Sequence, residues 1–72
     1  MTSEQQRAGA LEAIERIVNR GGNADDVLTA VHGVVSKLDP DTADDTAFVA
    51  RVTTLVSAYS TRPEKVRSIF RG

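Results

Sequence analysis

Apolar residues recur at helical intervals along the whole chain, and no segment alternates with period two. Ala10, Leu11, Ala13, Ile14, Ile17 and Val18 make a first stripe. Val27, Leu28, Val31, Val34, Val35 and Leu38 make a second, with Ala24 extending it backward. Phe48, Val49, Val52, Leu55, Val56 and Tyr59 make a third, and Val66, Ile69 and Phe70 leave a short apolar edge near the end. These spacings predict helices over about residues 4–20, 24–38, 42–60 and 62–70.

Punctuation between the stripes agrees. Ser3 followed by Gln6 fits a capping box, and Arg20 with Gly21-Gly22 supplies a stop. Asn23 and Thr42 stand where N-caps belong, so Asp25, Asp26, Asp44 and Asp45 read as first-turn acids at the positive helix end. Asp45 also points toward the apolar side beside Phe48 and Val49, within reach of a cation such as Arg62, Lys65 or Arg67. Pro40 ends the second helix, and Thr61, Pro63 and Glu64 open the last. The expectation is one all-α domain over residues 1–72, a small antiparallel bundle of three main helices plus a short basic C-terminal helix.

The third segment departs from the usual amphipathic pattern. Between Thr46 and Thr61 its only charged residue is Arg51, while Ala47, Ala50, Thr54 and Ala58 form a second strip of small side chains. A helix facing solvent normally carries charges there. The segment is therefore expected to touch protein on two sides, as the centre of the bundle or as a dimer contact. Chain length favours the second option, because 72 residues bury too little surface for ample stability and no cysteine is present to staple them.

Charge is unevenly spread. Residues 21–50 carry six aspartates against Lys37, whereas Arg51, Arg62, Lys65, Arg67 and Arg71 outnumber Glu64 in residues 51–72. An acidic middle and a basic end orient protein partners, including a second copy of the chain. Ala47, Ala50, Arg51, Thr54, Ala58, Arg62, Lys65, Arg67 and Arg71 are the expected partner-binding residues. The alternative is a small DNA-binding regulator whose last helix meets phosphate, but a pI of about 5.7 and four basic side chains argue for a weak, salt-sensitive contact at most.

Nothing points to catalysis or a cofactor. His32 is the single histidine, and His32 and Ser36 are ordinary neighbours one turn apart on a helix. Read as a calcium loop from Asp39, the chain fails at Ala43, Asp44 and Ala50. Arg20-Gly21-Gly22 occurs once, as a helix stop, and no phosphate-binding glycine motif exists. Residues 10–38 resemble the helical entry of a GAF domain, but "TAFVARVTTLVSAYS" stays helical where that family needs strands. Length and acidity also suit an acyl carrier protein, yet its Asp-Ser-Leu attachment site has no counterpart. With no leader or membrane span in the sequence, a cytoplasmic location is expected. The excess of arginine over lysine, with many alanines, valines and aspartates, is of the bacterial or phage type. The function expected is that of a small non-enzymatic interaction module, a self-associating regulator or adaptor.

Overall fold

The computed structural model describes residues 2–59 and 69–70. Its helices are α1 (Ser3–Arg20), α2 (Ala24–Ser36), α3 (Pro40–Ala43) and α4 (Thr46–Val56), and among the described residues there is no strand. The chain is all-α. Ile69 and Phe70 are also helical, while the rest of the expected helix over 62–70 lies outside the described residues.

Each helix end has a local chemical cause. The capping box of α1 sits one residue earlier than the pattern suggests. Thr2 accepts from the Gln5 backbone N–H, and the Gln5 side chain accepts from the Thr2 N–H. The tandem Thr2-Ser3 and Gln5-Gln6 offer two registers, and the earlier one adds a residue to the helix. Gly21, at φ 74°, closes α1 by donating its N–H to the Ile17 carbonyl. Asn23 caps α2 as expected, accepting from the Asp25 N–H at 2.8 Å. Helix α2 stops at Ser36, with Lys37 and Leu38 in a tightened turn ahead of Pro40.

The third expected helix is two helices. Pro40 occupies the first position of the four-residue α3, Asp44 leaves helical geometry, and Asp45 restarts the chain as the N-cap of α4. In an unbroken helix the Thr42 carbonyl would accept from the Thr46 N–H. Here it accepts from Arg7 Nη1 at 3.3 Å, and the buried Thr42 hydroxyl bonds the Ser3 hydroxyl at 3.2 Å. The first helix thus takes the carbonyl that continuity would need. Thr42 anchors α3 to α1 instead of capping a long helix.

Ala10 and Ile14 of α1, Val27, Val31 and Val35 of α2, and Phe48, Val52 and Val56 of α4 bury against one another, joined by Ile69. These are the inward positions of the predicted stripes. The main interhelical packing runs from α1 to each of α2, α3 and α4. Among the described residues it is helix α1, and not the weakly charged third segment, that the other helices pack on.

At its far end α4 stops at Val56 and not near residue 60. The Ser57 and Tyr59 N–H groups bond three residues back, to Thr54 and Val56. The Tyr59 hydroxyl then donates to the Val18 carbonyl at 2.8 Å, satisfying one of the orphan acceptors at the end of α1.

Candidate functional site

Because α4 packs on α1 through Phe48, Val52 and Val56, its other side is left outward. Ala47, Ala50, Arg51 and Thr54 are all exposed there, and Ala58 is exposed in the turn that follows. The five expected partner-binding residues of this segment therefore share one open surface. Arg62, Lys65, Arg67 and Arg71, the other four, lie outside the described residues.

The polar groups of this surface are turned inward. Thr53 Oγ1 donates to the Val49 carbonyl at 2.8 Å and Thr54 Oγ1 to the Ala50 carbonyl at 3.0 Å. Ser57 Oγ donates to the Thr54 carbonyl at 2.7 Å. Each hydroxyl is thus spent on its own helix, and the threonine methyl groups become the outer lining. Thr53 and Ser57 widen the strip beyond the residues expected from composition. Their signal is a hydroxyl one turn from a backbone carbonyl with a second lone pair to offer, which any helical Ser or Thr can use.

Arg51, the only charge on this stretch, is also accounted for. Its Nη2 reaches Glu15 Oε1 of α1 at 3.2 Å, with about half of each side chain exposed. A pair so open adds little stability. Its consequence is electrostatic, since Glu15 cancels the single net charge bordering a row of alanine and threonine.

The residues weighed for chemistry are engaged separately. His32 Nδ1 lies 3.0 Å from the Ile69 carbonyl, while Ser36 Oγ donates to the Gly33 carbonyl. Asp45 directs its carboxylate to the Phe48 N–H at 2.9 Å and is the N-cap of α4, not a first-turn acid. The cations its wheel position suggests, Arg62, Lys65 and Arg67, lie outside the described residues. Among the described residues no three histidine, cysteine or carboxylate side chains gather as metal ligands. No described helix is long and apolar enough to cross a membrane. Compared with known protein families, with characterised proteins and with solved structures, the chain matches none.

Proposed function

We propose that the chain is a non-enzymatic protein–protein interaction module, a cytoplasmic regulator or adaptor of the bacterial or phage type that self-associates through the outer face of α4. One observation carries this reading: an exposed helical face of small residues on which the Thr53, Thr54 and Ser57 hydroxyls are bonded back to the α4 backbone. Water gains little from solvating such a face, and small side chains let a second helix approach closely. Pairing of two α4 helices about a two-fold axis buries the same strip on both copies. The basic C-terminal residues Arg62, Lys65, Arg67 and Arg71 then add charge contacts at the rim of the interface.

Sedimentation velocity at low salt tests the proposal. A concentration-dependent dimer is expected for the natural chain, and a monomer is expected for Ala50→Glu with unchanged helical circular dichroism. A natural chain that stays monomeric at every accessible concentration removes the proposal.

A further inference from the structure

A second surface adjoins the α4 strip. The short helix α3 turns Thr42 toward α1, which leaves Pro40, Asp41 and Ala43 facing a cleft between the end of α2 and the start of α4. The cleft holds about 440 Å³, within the range of sites that take a few side chains. Its floor is apolar, made by Val35, Leu38, Val49 and Phe70, and Asp41 and Asp44 stand at its rim. Both rim carboxylates are exposed, and among the described residues neither has a hydrogen bond or an ion pair.

Chemistry narrows what such a cleft takes. Among the described residues no third histidine, cysteine or carboxylate converges with Asp41 and Asp44, so they do not form an all-protein metal cage. Asp41 and Asp44 are the only ionisable groups among the described residues lining the cleft, so its described rim is anionic and disfavours acids. The complement is a long cationic side chain beside a large apolar one. Arginine satisfies the first requirement twice, by lying its stem on apolar carbon and presenting a planar fork to carboxylates.

We propose that this cleft is a docking site for a basic amphipathic segment of a partner protein, seating an apolar side chain on Leu38, Val49 and Phe70 and an arginine between Asp41 and Asp44. On helix α4, Val49 lies across from Ala47 and Thr54 and is bordered by Thr53 one turn on, so this socket adjoins the edge of the self-association face without sharing its centre.

The probe is a short dye-labelled helical peptide of leucine, alanine and arginine, followed by fluorescence anisotropy on the full chain. Saturable binding is expected, weakening with salt. The counterparts with glutamate for arginine or serine for leucine should bind about tenfold weaker or worse. Asp41→Asn combined with Asp44→Asn should lower affinity by about the same factor, while Asp26→Asn at the far end of α2 leaves it unchanged. Neither change should alter the sedimentation of the chain, so failure here is distinct from failure of α4-mediated association. Absent binding, or binding indifferent to Asp41 and Asp44, overturns the proposal. Binding seen only after Arg67→Glu and Arg71→Glu assigns the cleft to the chain's own basic end and overturns it equally. Peptide that dissociates the dimer assigns the cleft to a second copy, which overturns it as well.

Discussion

His32 Nδ1 lies 3.0 Å from the backbone carbonyl of Ile69, joining α2 to the end of the chain across 37 positions of sequence. A carbonyl oxygen only accepts, so Nδ1 carries the hydrogen of this bond. Ile69 itself is buried in the core, and this bond fixes the backbone beside it. The lone histidine thus acts as a latch for the C-terminal residues, a role that its being too few for a metal site does not reveal. Replacing it by leucine leaves the carbonyl without its partner and should cost about 1–2 kcal/mol in a denaturant titration. Asparagine, whose amide nitrogen occupies nearly the place of Nδ1, should recover most of that loss. Equal destabilisation by both variants would show that ring packing, and not the hydrogen bond, matters here.

Two glycines should respond in opposite directions to the same substitution. Gly21 has φ 74° and ψ −159°, a region that side chains exclude, and its added Cβ would meet Tyr59 Oη at an unremarkable 3.6 Å. The cost of Gly21→Ala is therefore conformational, about 1–3 kcal/mol. Gly33 lies inside α2 with ordinary helical backbone, and no described atom stands within 4 Å of where its Cβ would be. Gly33→Ala should raise stability by about 1 kcal/mol, equivalent to several degrees in thermal midpoint for a domain this small. A loss of stability at Gly33 would reveal a neighbour that approaches the helix there.

What the sequence discloses and what it conceals divide along one physical line. The three stripes are legible because core burial follows the 3.6-residue period, and Ile14, Val31, Val52 and Val56 are all fully buried. The α4 strip is legible too, since its lack of charge is compositional. The break at Asp44 is not, because it depends on Thr42 meeting Ser3 and Arg7, partners 39 and 35 positions away. Nor does a helical wheel disclose that the hydroxyls of Thr53 and Thr54 fold back on their own carbonyls. Local periodicity predicts elements; competition for backbone groups by distant side chains decides where they end.

That competition makes Asp45 testable as a cap. Its carboxylate accepts from the Phe48 N–H at 2.9 Å, so Asp45→Ala should cost about 0.5–2 kcal/mol. Asparagine caps nearly as well as aspartate but cannot form an ion pair. Asp45→Asn should therefore keep most of the stability, with little dependence on salt, in denaturation curves at low and high ionic strength. A loss under Asp45→Asn as large as under Asp45→Ala would point instead to a cationic partner for the carboxylate.

The back-bonded hydroxyls lead to a prediction that separates shape from polarity on α4. Valine has nearly the shape of threonine and the same β-branching, so Thr54→Val leaves the helix backbone content while removing the bond to the Ala50 carbonyl. If Thr54 already presents its methyl group to a second copy, the added methyl strengthens the contact by up to about 0.8 kcal/mol per chain. The dimerisation constant from sedimentation should then rise, and the thermal midpoint should become more dependent on protein concentration. Thr54→Asp keeps a branched polar shape but sets a charge in the strip, and should give a monomer with its circular dichroism intact. A face meant for water would respond the other way: valine would lower solubility without changing the sedimentation coefficient at low concentration, and aspartate would be neutral. The pair of variants therefore discriminates an interface from a surface, whichever way the natural chain associates.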